Sequence, residues 1–265
     1  MNNPALKSTE QSKAQPDPVA LFISDLHLQA EMPRTAEAFF NFLAQHAVRA
    51  RRLYLLGDIF EYWAGDDDLS PFNQRVIEAL RTVAHQGVEV FWIAGNRDFL
   101  AGAEFARAAG LTLLHDPTVL QGPSGPLVLT HGDALCTDDL PYMQFRAQVR
   151  QPQWQAAFLA QPLEQRKAII AGLRQGSREA QREKSDAIMD VNHDAVRALF
   201  AASGCRVMIH GHTHRPARHE QADGCLRYVL PDWDCDTEVA RGGWIALEAD
   251  GTLKRVNVDG GEIEQ

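Results

Sequence analysis

Seven side chains in this 265-residue sequence could together hold metal ions: Asp25 and His27 in SDLHL, Asp58 in LLGD, Asn96 in AGNRD, His131 in LTHGD, and His212 with His214 in IHGHTH. One residue separates Asp25 from His27, so the end of a strand can turn both toward a single ion. The set offers carboxylate, amide and imidazole donors and no thiolate. Such donors favour Mn²⁺, with Fe²⁺, Co²⁺ or Mg²⁺ as rivals, over a structural zinc site. Two ions about 3.5 to 4 Å apart lower the pKa of a bridging water and clamp the attacking and leaving oxygens of an in-line displacement. Asp58 is the expected bridging carboxylate. A lone D-x-H or G-D pair is common by chance, so the inference rests on the ordered set.

Each of these residues follows a short apolar run. Val19 to Ile23 reads as a buried strand, and a helical pattern runs from Arg34 to Val48. Leu53 to Leu56 is the next strand, after which Ser70 and Pro71 supply an N-cap and first-turn proline for a helix reaching His85. Val88 to Ala94 and Leu127 to Thr130 repeat the strand-then-polar-loop pattern. Alternation of this kind predicts an α/β layered fold with its chemistry at the carboxyl ends of the strands. Residues 139–203 read as mostly helical, with Trp154, Phe158, Leu159, Leu163, Ile169, Ile170 and Leu173 as their apolar positions. Strand signals return at Val207 to His210, Leu226 to Leu230, Trp244 to Leu247 and Leu253 to Val256; several alternate as antiparallel strands do, and they are expected to build the second half of a sandwich. The division is therefore a disordered tail over 1–18, a core from 19–138 and 204–258, and a helical lid over 139–203.

Composition narrows the function. A net charge of −9 argues against a chain built to grip a nucleic-acid backbone, so no nucleic-acid partner is expected. Cys136, Cys205, Cys225 and Cys235 form no CxxC pair and no signal peptide precedes the core, which reads as a cytoplasmic protein with reduced thiols. No apolar run approaches the ~20 residues of a membrane span, so any membrane contact is peripheral. His46, His85, His115, His193, His210 and His219 lie outside the ligand pattern; His210 is expected to finish a strand and hydrogen-bond there. Cys136 and the Asp66 to Asp68 run read as a packed thiol and a solvated loop.

The ordered motifs DLH, GD, GNRD, THGD and GHTH resemble those of the calcineurin-like metallophosphoesterase family across almost the whole chain after the tail. The resemblance implies a sandwich of two mixed β-sheets flanked by helices, with two divalent metals. Longer strings, EYWAGDDD, GNRDFL, HGDALCTDD, AIMDVN and IHGHTHRPA, resemble the branch of that family that hydrolyses UDP-2,3-diacylglucosamine in bacterial lipid A synthesis. That branch implies cleavage at the nucleotide-proximal phosphate to UMP and the acylated sugar 1-phosphate (lipid X). It also implies Asn96, Arg97, His131 and His212 as catalytic residues, and substrate contacts at Asn96, Arg97, Asp139, Ser177, Gln181, Lys184 and His212. Some relatives carry Asn where Gln181 stands.

Many members of the wider family have His where this chain has Arg97. A phosphate leaving group departs as an anion without needing a proton, so an anhydride substrate tolerates the change. Arg97 can fork onto phosphate oxygens and neutralise charge spreading over the transferred and departing groups. The alternative is a structural ion pair with Asp98 or another carboxylate. In the insertion Arg146, Arg150, Arg166, Lys167, Arg174, Arg178, Arg182 and Lys184 outnumber Glu164, Glu179 and Glu183. With the resemblance, this basic stretch implies contact with the anionic inner-membrane surface and an apolar groove for acyl chains; ordinary helix packing is the rival reading. A monomer is expected. A hydrolase of another nucleotide anhydride or phosphodiester would share every metal ligand, and a scaffold that lost its chemistry should lack some of them.

Overall fold

The computed structural model describes residues 17–183 and 190–263, without the side chains of 177–183. The first half alternates strand and helix: β1 (Ala20–Ile23), α1 (Pro33–Gln45), β2 (Arg52–Leu55), α2 (Pro71–His85), β3 (Glu89–Ile93), α3 (Ala103–Ala109) and β4 (Thr112–Leu114). A hairpin of β5 (Thr118–Gly122) and β6 (Gly125–Leu129) follows, then α4 (Leu140–Val149), α5 (Pro152–Leu159), α6 (Leu163–Glu183) and α7 (His193–Ser203). The chain closes with β7 (Val207–His210), β8 (Ala217–Glu220), β9 (Leu226–Val229), β10 (Gly243–Leu247), β11 (Leu253–Asn257) and β12 (Glu262–Ile263).

Two sheets stack face to face, one of seven strands in the order β12-β11-β10-β1-β2-β3-β4 and one of five in the order β5-β6-β7-β9-β8. Strand β1 is buried at every position because both its faces are covered. Its Leu21 and Ile23 face α1 and α2 with Leu53 and Leu55, whereas Ala20 and Phe22 face the second sheet with Tyr54. Phe22, Tyr54 and Phe91 stack across three neighbouring strands, with ring centroids 5.2 and 4.9 Å apart. Burying an aromatic ring of this kind contributes on the order of 2 kcal/mol, so this ladder is a major anchor between the sheets. Helix α7 closes the far side, packing Val196 and Phe200 against Val128 and Met208 of the second sheet.

The predicted sandwich is present with several antiparallel C-terminal strands, but the expectation that all of them build its second half is corrected. Strand β7 runs parallel to both β6 and β9. Strands β10 and β11 do not belong to the second sheet: β10 pairs antiparallel with β1, and β11 with β10. The all-buried GWIAL of β10 explains this, since a strand apolar on both faces needs a position inside the larger sheet. Parallel β1, β2 and β3, together with parallel β6 and β7, end at one rim of the sandwich. The loops that follow them carry all seven candidate ligands.

Candidate metal centre

At the end of β1 the chain turns through Asp25 and His27, after β2 through Asp58, and after β7 through His212 and His214. These five are the non-glycine residues with positive φ among those described, at 53°, 48°, 53°, 69° and 54° respectively. Left-handed backbone costs an L-residue roughly 1–2 kcal/mol, and such strain gathers where surrounding structure over-determines a functional geometry. Here it breaks strand alternation, so that neighbouring side chains converge on one rim. Glycines make the convergence close enough. A Cβ on Gly95 would collide with the Asp58 carboxylate, and one on Gly211 with Asp25 and Ser24.

Two groups of donors result, Asp25 with His27 and His214, and Asp25 with Asp58 and His131, each within 4.8 Å. Asp25 belongs to both, while Asp58 belongs to the second. The Oδ2 of Asp25 accepts from Ser24 Oγ (2.6 Å) and the His212 amide (2.9 Å), but its buried Oδ1 has no hydrogen-bond donor. His27 Nε2 and His214 Nε2 lie 3.2 Å apart, and His214 Nε2 lies 3.5 Å from Asp25 Oδ1. In the second group His131 Nε2 lies 2.9 Å from Asn96 Oδ1 and 3.7 Å from Asp58 Oδ1. An orphaned buried carboxylate oxygen facing imidazole nitrogens suits a divalent cation, and the oxygen and nitrogen donors suit a hard or borderline one.

The electrostatics agree. Burial alone would raise the Asp25 carboxyl, yet the imidazoles of His214, His131 and His27 hold it far below the carboxylate range. Burial opposes the charge on His131, but Asp58, Asp25 and Asp133 raise its pKa to about 9. Burial and the neighbouring His131 lower His212 to about 4, although its ring centroid is only 5.1 Å from that of His131. The carboxylates therefore call for positive charge at this rim, and two adjacent imidazoles do not both supply it.

A cavity of about 700 Å³ opens over this rim. His27, Asp58, Asn96, Arg97, His212 and His214 line it. Phe99, Leu100, Trp154, Phe158, Ile170 and Leu173 line it too, so α5 and α6 supply an apolar wall. Asp139 lies on the wall and caps α4 by accepting from the Tyr142 amide at 3.2 Å. Ser177 and Gln181 fall on α6 with side chains that are not described, and Lys184 lies outside the described residues. Arg97 does not pair with Asp98. That buried carboxylate accepts backbone N–H groups from Asp58, Ile59, Phe60 and Gly95, tying the loop after β2 to the loop after β3. His210 donates from Nδ1 to Gly211 O (2.8 Å) and accepts at Nε2 from buried Arg227 (3.0 Å), which occupies both ring nitrogens.

A match to the family model described as calcineurin-like phosphoesterase covers residues 19–216. The chain belongs to this family. It is 52% identical over 225 residues to a UDP-2,3-diacylglucosamine hydrolase of Aromatoleum aromaticum, covering 84% of this chain and 92% of that protein. Identity to the protein of the same name from Stenotrophomonas maltophilia is 48% over 237 residues, covering 84% and 96%. For that of Bordetella pertussis it is 48% over 235 residues, covering 86% and 91%. Calcineurin-like phosphoesterases are metal-dependent hydrolases, so the donor groups on this rim imply divalent metals.

Other residues of this phosphoesterase matter although sequence patterns did not single them out. Asp133 is fully buried and accepts from Tyr142 Oη (2.7 Å) and Arg146 Nε (2.8 Å), with Arg150 3.7 Å away. Burial would raise its carboxyl, but His131, Arg146, His212 and Arg150 hold it far below the usual range. The HGD motif was the available signal. The Asp66 to Asp68 run, expected to be a solvated loop, is instead a set of anchors. Asp66 accepts from the amides of Gly102 and Phe105, Asp67 pairs with Arg166, and the buried Asp68 pairs with Lys167 at 2.8 Å. The described basic residues of the insertion behave similarly. Arg146 and Arg150 pair with Asp133, and Arg174 pairs with Glu61, so every described basic residue from that set faces a carboxylate of this chain, buried at Asp68 and Asp133 and exposed at Asp67.

Proposed function

We propose that this phosphoesterase hydrolyses the pyrophosphate of UDP-2,3-diacylglucosamine to UMP and 2,3-diacylglucosamine 1-phosphate, a step of lipid A synthesis. The observation that supports this reading is the continuity of one cavity from the metal centre to the apolar wall of α5 and α6. A phosphate anhydride with acyl chains attached needs both surfaces at once.

When bound, two divalent cations, Mn²⁺ in this reading, supply an activated water and offset charge on the phosphoryl oxygens. Asp25, His27 and His214 would hold one and Asn96, His131 and His212 the other, with Asp58 as the carboxylate that would serve both. Arg97 lies on the cavity wall beside them, where its fork meets phosphate oxygens of the transferred and departing groups. Its backbone amide donates to Asp58 Oδ1 at 2.7 Å, so the residue that meets the substrate also fixes a metal ligand. Asp139, Ser177, Gln181 and Lys184 complete the proposed substrate contacts.

Among the described residues, no helix is long and apolar enough to cross a membrane. We propose peripheral association of a monomer with the anionic inner-membrane surface. Leu140, Phe145, Leu159, Ile169 and Leu173 are exposed on α4, α5 and α6, and they support docking by apolar insertion more than by charge, because the described basic residues there are internally paired.

The test follows UMP release by metal-stripped protein with Mn²⁺ restored, on the diacylated substrate, UDP-glucose and a simple phosphate monoester. Metal-dependent release from the acylated substrate alone is expected. Cleavage of the monoester with none of the anhydride would overturn the substrate assignment and leave the metal centre standing.

A further inference from the structure

Glu61, in the loop after β2, divides its carboxylate between two parts of the molecule. Oε2 lies 3.1 Å from His27 Nδ1 on the rim. Oε1 receives the guanidinium of Arg174 on α6, and Arg174 also lies over the Tyr62 ring, 5.5 Å from its centroid. His27 turns its other nitrogen, Nε2, toward His214 Nε2 at 3.2 Å. The ring therefore presents Nε2 to the cation position and Nδ1 to the carboxylate. A ligating histidine held this way is fixed in tautomer and orientation by its outer partner, and removing that partner typically costs 10- to 100-fold in metal affinity.

All three side chains are largely covered, at 15% exposure for His27, 14% for Glu61 and 20% for Arg174. Solvent screening of the chain of contacts is correspondingly weak.

We propose that Arg174 and Glu61 are positioning residues that couple the seating of helix α6 to metal affinity at His27. With α6 in place, Arg174 holds Glu61 against the imidazole. With α6 displaced, Glu61 loses its second partner and His27 loses its fixed orientation. Linkage makes the effect reciprocal: a cation on Nε2 makes the Nδ1 side of the ring more positive, strengthens its attraction to the Glu61 carboxylate 3.1 Å away and thereby favours the seated helix. Loading of the metal centre and closure of the apolar wall become one event. The inference rests on the two-metal reading above.

The experiment measures Mn²⁺ binding to the metal-stripped protein by electron paramagnetic resonance and amide exchange of α6 with and without Mn²⁺. In the unmodified protein Mn²⁺ should slow exchange in α6. Arg174→Met should weaken one of two Mn²⁺ sites about tenfold, and should add little in a Glu61→Gln background because both act through one carboxylate. Arg197→Met, on the exposed face of α7, should bind Mn²⁺ as the unmodified protein does. Unaltered α6 exchange on Mn²⁺ addition, native affinity in Arg174→Met, or full additivity with Glu61→Gln would each overturn the coupling. Failure of the unmodified protein to bind Mn²⁺ at all would instead overturn the two-metal reading beneath it.

Discussion

Arg97 lines the cavity beside the candidate metal ligands, and in the proposed reaction its replacement separates metal binding from substrate contact. Arg97→Ala should lower turnover on the anhydride by about 10²- to 10³-fold, the range for loss of one charge-stabilising donor. Mn²⁺ affinity should remain, because the contact to Asp58 is made by the backbone amide. Turnover within threefold of the parent would remove Arg97 from the reaction. His131 supplies a second residue-level expectation. Its pKa of about 9 in the metal-free protein, against an ordinary 6.5, means that a cation arriving below pH 9 displaces a proton. Apparent affinity should then fall roughly tenfold per pH unit on acidification below about 9 while one proton is released per cation. Calorimetric titrations in buffers of different ionisation enthalpy would report that proton. The metal-free fold gains from protonated His131 below pH 6.5 and loses that gain as pH rises through about 9, so its melting temperature should decline across that window.

The helices divide into those that support the sheets and those that serve the cavity. Ser70 caps α2 by accepting from the Asn73 amide at 3.1 Å, far from the rim. Ser70→Ala should cost about 1 kcal/mol of stability and leave kcat and KM unchanged. Trp154 on α5 stacks on Phe158 at 4.9 Å and lines the apolar wall of the cavity. Trp154→Ala should raise KM for the diacylated substrate with little change in kcat, and an unchanged KM would detach the apolar wall from substrate binding. The strand-then-ligand pattern was legible because each ligand directly follows an apolar run, and periodicity is a local property. The partners of Arg146, Arg166, Lys167 and Arg174 were not legible. Which carboxylate a cation meets is set by how α4 to α6 lie across loops far away in sequence, and composition alone made these residues look like a free basic face. Sheet membership of β10 failed for the same reason: its antiparallel register with β1 joins segments more than two hundred residues apart. The short β4 and β8 carry too few residues to register as periodic.

At the scale of the whole molecule, metal and fold stability are linked. Cation at about 100 times its dissociation constant stabilises the native state by about 2.7 kcal/mol. Stripping with a chelator should therefore lower the melting temperature by roughly 5 to 10 °C for a domain of this size, and restored Mn²⁺ should return it. Identical melting curves would show that the rim binds no cation under those conditions. The left-handed candidate ligand residues set a limit on how this protein can be improved. Three of the five are histidines, which tolerate that backbone less readily than glycine, so His212→Gly should raise the melting temperature of the metal-free chain while weakening cation binding. Laboratory selection for heat resistance alone would thus reward the erosion of the catalytic rim, and a thermostable variant is to be sought in substitutions that leave these turns as they are.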